Sequence, residues 1–168
     1  ANFFTLSENR NRIKKDKLSK KFSKQKSIFI KKNLPFNLTK SQEKVLNEIN
    51  SDLYSKKRMF RIIQGDVGSG KTIVSLLTIS NVIESGYQCA LMGPTEILAK
   101  QHFELAKKIY KDTNFKIDFL TGKTETKDRK KILENLESGK IDLLIGTHAL
   151  FQKKIYFKNL GLTIIDEQ

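Results

Sequence analysis

An α/β fold with a parallel sheet is predicted for this chain of 168 residues, and three observations predict it. Gly65-Asp66-Val67-Gly68-Ser69-Gly70-Lys71-Thr72 is a complete phosphate-binding loop, G-x-x-x-x-G-K-T, set between an apolar run and a helical pattern. Apolar runs and helical patterns then alternate along the rest of the chain, the signature of a parallel sheet covered on both faces. The last run, Leu160 to Ile165, is apolar almost throughout, as a two-sided buried strand is, and it ends in Asp166-Glu167-Gln168.

Taken in order, residues 1–33 read as a basic helical or linker segment. Leu34-Pro35-Phe36 marks a boundary, because proline disfavours helix at the residue before it, and residues 34–168 read as one domain. Thr39 opens a helix carrying Val45, Leu46, Ile49 and Leu53 on its apolar face. Phe60–Gln64 is a short run rich in β-branched residues and reads as the strand entering the loop. A helix follows from Thr72 to Ile83, with Val74, Leu76, Leu77 and Ile79 apolar. Gln88–Met92 reads as a strand, and Pro94-Thr95 starts another helix. Thr95 suits the N-cap and Glu96 the positive end. Phe115–Leu120 is a strand, and Lys127–Glu137 a charged surface helix stopped by Ser138-Gly139. Ile141–Ile145 and Leu162–Ile165 complete the strands. There is no repeat.

Composition narrows the class. Hydrophobic residues make up 38% of the chain, enough for a core. No apolar run approaches the ~20 residues of a membrane span, no secretory h-region with a cleavage site is visible, and no membrane partner is expected. The single cysteine, Cys89, lies in an apolar run and reads as a buried structural thiol. Cytoplasmic residence is expected. The net charge of +14 is uneven. Residues 1–40 hold 12 Lys and Arg against 2 Asp and Glu, a net +10, and residues 41–168 hold 20 against 16, a net +4. A basic arm ahead of a near-balanced domain points to a phosphate backbone. Lys outnumbers Arg 27 to 5, so a lysine-biased composition is the competing account. Phe3, Phe4, Phe22 and Phe29 in the arm suit packing against an upstream domain as well as base stacking.

The loop residues carry specific chemistry. Its glycines allow backbone conformations closed to other residues, so that successive N–H groups turn inward around phosphate oxygens. The helix N-terminus adds its partial positive charge. Gly65, Asp66, Val67, Gly68, Ser69 and Gly70 are therefore candidate nucleotide-binding residues. Lys71 is expected to reach the β- and γ-phosphates, and the Thr72 hydroxyl to ligate Mg²⁺. Ligands in open α/β sheets sit at the carboxyl ends of strands. Asp166 there is a candidate Mg²⁺ anchor, and Glu167 a candidate for polarising the attacking water. The two halves together make an ATP·Mg²⁺ site. The chain stops as the second half is completed, and a larger motor is expected.

Three further segments carry a resemblance: Pro94-Thr95-Glu96-Ile97-Leu98-Ala99-Lys100-Gln101-His102, Thr121-Gly122 and Gly146-Thr147-His148-Ala149-Leu150. With the loop and Ile164-Ile165-Asp166-Glu167-Gln168, they resemble the first RecA-like lobe of superfamily 2 helicases. In wording the chain is similar to the RecG family of bacterial ATP-dependent DNA helicases. The resemblance runs from Leu34 to Gln168, and residues 1–33 fit it loosely, as the stretch joining an upstream wedge domain to the motor. It implies a P-loop NTPase lobe whose whole protein remodels stalled forks and branched junctions. A second RecA-like lobe with its arginine fingers, and the wedge domain, are the implied partners in the same protein.

The resemblance also assigns residues. Gln42 with Phe36 matches the motif that recognises adenine. By its own chemistry, Thr39-x-x-Gln42 is equally a capping box, and Phe36 equally a core residue. Pro94, Thr95 and Glu96 match a motif that touches the DNA backbone, as do Thr121-Gly122 and Thr147. Such contacts position without reading sequence. A plain helix cap and a plain turn are the alternatives for Thr95 and for Thr121-Gly122. His148 has no cysteine or second histidine at ligand spacing, so metal binding is not expected there, and His102 reads as a packing or surface residue. Lys123 stands where the family often has serine, and the usual histidine after Asp-Glu-Gln lies beyond Gln168. The competing functions are a transcription-repair coupling translocase and a nonenzymatic DNA-binding module.

Overall fold

The structure is a computed structural model that describes residues 2–4, 23–55, 58–66, 68–151 and 155–167. Its centre is a sheet of four parallel strands, β2 (Gln88–Met92), β3 (Ile117–Leu120), β4 (Leu143–Gly146) and β5 (Leu160–Glu167). A fifth strand, β1 (Asn2–Phe4), pairs antiparallel with β5, which gives the order β1-β5-β2-β4-β3. Two of the expectations differ. Residues 2–4 are strand where a helical or linker segment is predicted. Phe60–Gln64 is not a strand of the sheet: it is extended and Ile63 alone makes an isolated bridge. Phe60 and Ile62 are 53% and 56% exposed, so the apolar pattern that suggests a buried strand has no second surface to cover it. Arg61 instead ties the segment to the helix before it, through 2.8 Å and 2.7 Å ion pairs to Glu48 and Asp52.

The strands alternate their side chains between two faces, as period 2 requires. Cys89, Leu91, Leu143, Ile145, Leu162 and Ile164 share one core with α1 (Gln25–Asn33), α2 (Lys40–Tyr54), α3 (Lys71–Glu84) and α4 (Glu96–Ile109). Leu120 and Leu144 face the other way, onto Ile132 and Leu136 of α5 (Thr126–Glu137) and Leu150 of the 3-10 turn His148–Phe151. The result is a three-layer α/β arrangement, as predicted.

Helix α3 lies at the middle of the first core and is buried almost all round from Val74 to Ile83. Its hydroxyls are satisfied locally, Ser75, Thr78 and Ser80 donating to the carbonyls of Lys71, Val74 and Leu77; Asn81 Nδ2 donates to Asn50 Oδ1 of α2 at 2.9 Å, while its Oδ1 has no partner among the described residues. Tyr110 donates to the Leu76 carbonyl at 2.6 Å, and complete burial pushes its phenol well above the ordinary range. Cys89 is fully buried.

Helix α1 is part of this core rather than a detached tail. Its N-cap, Lys24, has no side-chain acceptor, and Glu84 from the end of α3 takes that role, accepting from Lys26 N at 3.0 Å and from Ser23 Oγ at 2.6 Å. Ile30 is buried in this core, and α1 packs on α3. Burying an isoleucine contributes about 2 kcal/mol and a cap about 1 kcal/mol, so apolar packing holds α1 and Glu84 fixes its entry. Leu34 is already extended, which ends α1 before Pro35.

Gly146 and Gly93 stand where one backbone closely approaches another. A Cβ on Gly146 would lie 1.9 Å from the Leu120 carbonyl oxygen, and one on Gly93 would lie 2.8 Å from the Ala99 amide nitrogen. Gly146→Ala is expected to push β3 away from β4. The cost is about 3 kcal/mol, at the upper end of overpacking because the clash is with backbone, and a lowering of the melting temperature by roughly 6–12 °C. Thermal denaturation followed by circular dichroism checks it, and an unchanged midpoint would contradict the close packing.

Candidate functional site

Parallel register brings the ends of four strands to one edge. Met92 aligns with Gly146 and Ile165, and Gly146 aligns with Leu120. The next residues on each strand, or a few on, are the ones singled out from sequence: Pro94-Thr95-Glu96, Thr121-Gly122, Thr147 and Asp166.

The phosphate-binding loop leads into α3 as predicted. Gly68 and Gly70 have φ of +80° and +79°, the left-handed region that glycine tolerates. Gly70 is the N-cap of α3, and no side chain caps it. An uncapped helix N-terminus beside left-handed glycines is the arrangement that receives an anion. Lys71 Nζ curls back into the loop, donating to the carbonyls of Gly65 at 2.5 Å and Asp66 at 2.7 Å and to Ser69 Oγ at 3.3 Å. Val67 lies outside the described residues.

Gln42 does two jobs at once. Its Oε1 accepts from Thr39 N at 2.8 Å while its own N–H donates to Thr39 Oγ1 at 3.2 Å, so the capping box is made. Its Nε2 donates to the Ser69 carbonyl at 2.8 Å, which fastens α2 to the loop. The amide is so close that a Cβ on Gly70 would stand 2.2 Å from it. Phe36 is not in the core: its side chain is 47% exposed.

At the other half, Asp166 is 3% exposed. His102, 7% exposed on α4, places Nε2 at 2.7 Å from Asp166 Oδ2. The two are in contact without hydrogen-bond alignment, and neither His102 Nε2 nor Asp166 Oδ1 has a hydrogen-bond partner among the described residues. A buried carboxylate oxygen left unpaired fits a hard cation, which takes oxygen ligands, and the Thr72 hydroxyl is the same kind of donor. Of Glu167 the backbone alone is described, as the last residue of β5. No hydrogen bond or ion pair joins the loop to Asp166 among the described residues.

Two of the segments read as DNA-facing are joined through Glu96. Thr95 caps α4, its Oγ1 accepting from Leu98 N at 3.2 Å. Glu96 accepts from Thr121 Oγ1 at 3.0 Å and pairs with Lys123 at 2.8 Å. Thr121 and Thr147 are buried, so their hydroxyls are not displayed at the surface, whereas a Cβ on Gly122 would meet open space. The bond from Lys123, then that from Thr121, holds the Glu96 carboxyl below its ordinary range. Sequence reasoning missed the roles of His102 and Glu84. The one signal for His102 was its place with Ala99 and Ala106 on the buried face of α4.

Residues 39–168 match the DEAD/DEAH box helicase family. The chain belongs to that family. Among curated relatives it is similar to the ATP-dependent DNA helicase RecG of Streptococcus pneumoniae serotype 4, 46% identical over 94% of this chain and 23% of that protein. It is also similar to RecG of Staphylococcus aureus, 51% identical over 80% of this chain and 20% of that protein. The structure of RecG bound to a three-way DNA junction superposes on it with a TM-score of 0.84 and 43% identity, over 91% of this chain and 21% of that one. The helicase lobe thus spans about a fifth of the length of the relatives it matches. The family uses nucleotide.

Lys123→Ala is expected to let the Glu96 carboxyl rise toward the ordinary glutamate range. Because the folded value lies below the unfolded one, the pairing stabilises at neutral pH and is lost as pH falls through the folded value. A carbon-13 NMR titration of the Glu96 carboxyl reads both proteins, and identical midpoints would remove Lys123 as the cause.

Proposed function

We propose that this chain is the first motor lobe of an ATP-dependent DNA helicase that acts on branched DNA, stalled forks and junctions, in recombination and repair. The observation that carries the reading is the convergence, at one sheet edge, of Asp166 with the Thr95, Glu96 and Thr121 network. The similarity to RecG, one of whose structures holds a three-way junction, supports the choice of substrate. The bound partner is DNA. A second RecA-like lobe and an upstream wedge domain are the proposed partners in the same protein, and the cytoplasm the proposed location. Residues 34–168 form the ATP-binding lobe, and residues 1–33 join it to the wedge domain, with α1 at their end docked on α3.

The chain's residues divide the work as follows. Gly65, Asp66, Val67, Gly68, Ser69 and Gly70 wrap the phosphates with backbone N–H groups. Lys71 leaves the Gly65 and Asp66 carbonyls and moves its three donors to the β- and γ-phosphate oxygens, exchanging neutral acceptors for charged ones, which make the stronger bonds. Thr72 and Asp166 would hold Mg²⁺, which would neutralise phosphate charge. Glu167 orients the attacking water. Gln42 and Phe36 meet the adenine. The Gln42 amide keeps a second N–H and a second lone pair beyond its bonds to Ser69 and Thr39, so base contact and loop position share one side chain. Pro94, Thr95, Glu96, Thr121, Gly122 and Thr147 form the backbone-contacting edge, Thr121 and Thr147 through main-chain groups because their side chains are buried, and Lys123 there is paired with Glu96. Closing and opening of the cleft between the lobes moves them along duplex DNA.

In the intact protein, forked DNA is expected to stimulate ATP hydrolysis and to be unwound, and Lys71→Ala to lower turnover about 100-fold or more. Turnover on linear duplex without fork unwinding would favour a duplex translocase, and no turnover on any substrate would leave a DNA-binding module. The isolated lobe is expected to hydrolyse ATP about 1,000-fold more slowly than the intact protein, because arginine charge from the second lobe is absent. DNA-stimulated turnover by the purified lobe at the intact rate would contradict that.

A further inference from the structure

We propose that His102 is a positioning residue that holds Asp166 and links it, along α4, to the DNA-facing edge. The inference rests on the helicase reading above, in which Asp166 anchors the metal. Helix α4 has an inward row, Ala99, His102 and Ala106, spaced three and four apart. Two of these are alanine and leave room only for backbone contact. The third is a large polar ring, and its Nε2 stands 2.7 Å from Asp166 Oδ2. A histidine buried among apolar neighbours loses its water, and that cost is offset only by a polar partner. Here Asp166 is the polar group in contact with the ring, although Nε2 makes no aligned hydrogen bond to it. The contact sets Oδ2 against the ring, while Oδ1 has no hydrogen-bond partner among the described residues. Groups that contact a ligating carboxylate fix its rotamer and tune its affinity for metal.

The same helix is fastened at its other end to the network read as DNA-contacting. Thr95 caps its first turn, and Glu96 holds Thr121 and Lys123. Its first turn lies close over the strand end: a Cβ on Gly93 would stand 2.8 Å from the Ala99 amide nitrogen. A rigid helix pinned between these points carries a displacement at Thr95 and Glu96 to His102, under two turns away. DNA at the edge thereby alters how Asp166 presents its free oxygen. His102 acts on the metal through Asp166 and touches no reacting atom.

The test uses the intact protein with His102→Ala and His102→Gln, the second keeping an N–H donor near the Nε2 position. Binding of Mn²⁺ in the presence of ADP, followed by electron paramagnetic resonance, needs no turnover. It is expected to weaken roughly 10-fold in the alanine variant and to be largely restored in the glutamine variant. The ratio of ATP turnover with and without forked DNA is expected to fall in the alanine variant, while DNA affinity stays at the wild-type level. Unchanged Mn²⁺ binding in the alanine variant overturns the proposal. Equal weakening in both variants together with a lowered melting temperature also overturns it, since His102 then only packs. If the wild-type protein shows no DNA-stimulated turnover, the helicase reading fails, and the Mn²⁺ comparison still decides whether His102 positions Asp166.

Discussion

The parallel register of β2 between β4 and β5 is the constraint on which the other features rest. Backbone hydrogen bonds pair Cys89 to Met92 with Leu143 to Gly146 on one side and with Leu162 to Ile165 on the other. A slip of one residue would turn Leu91, Ile145 and Ile164 from the α3 face to the α5 face, exchanging one core for the other. Correct register also sets the depth at which each strand ends. That depth brings Gly93, Thr147 and Asp166 to a common edge, and the β3 pairing adds Thr121. The chemistry of the site is therefore a by-product of burying two apolar faces at once.

Around that edge, the polar side chains work in linked pairs. Gln42 joins the capping box of α2 to the Ser69 carbonyl of the loop. Glu96 joins the start of α4 to Thr121 and Lys123. His102 joins the middle of α4 to Asp166. Each link spans two elements that packing alone would leave free to shift by fractions of an ångström. They steer geometry rather than hold the fold. Stability comes from the residues around α3, which is covered by α1, α2, α4 and the sheet.

Much of this was legible in the sequence, for identifiable reasons. The loop is a local motif whose glycines and Lys71 need no distant partner to be understood, and Gly68 and Gly70 adopt the left-handed backbone expected of them. The Thr95 cap and the Thr39 and Gln42 box are also local, and both are made. What could not be read is long-range. Phe60–Gln64 has the composition of a strand, yet strand formation depends on a neighbour, and its outer residues stay exposed. Residues 2–4 carry too few residues to show a period, and they pair with a strand at the far end of the sequence. Glu84 as the cap of α1 and His102 against Asp166 join residues about sixty apart, where no spacing rule reaches. Gln42 was readable as a cap or as an adenine contact, but its bond to Ser69 was not.

Hydrogen–deuterium exchange on the intact protein, alone, with ADP·Mg²⁺, and with a three-way DNA junction, tests the shared edge most directly. The account predicts that nucleotide slows exchange at residues 65–73 and that the junction slows it at residues 95–99 and 121–124. It also predicts that the two ligands together slow exchange around Asp166 more than either alone. Junction-dependent protection confined to the basic residues 1–40, with the strand ends unchanged, would contradict it.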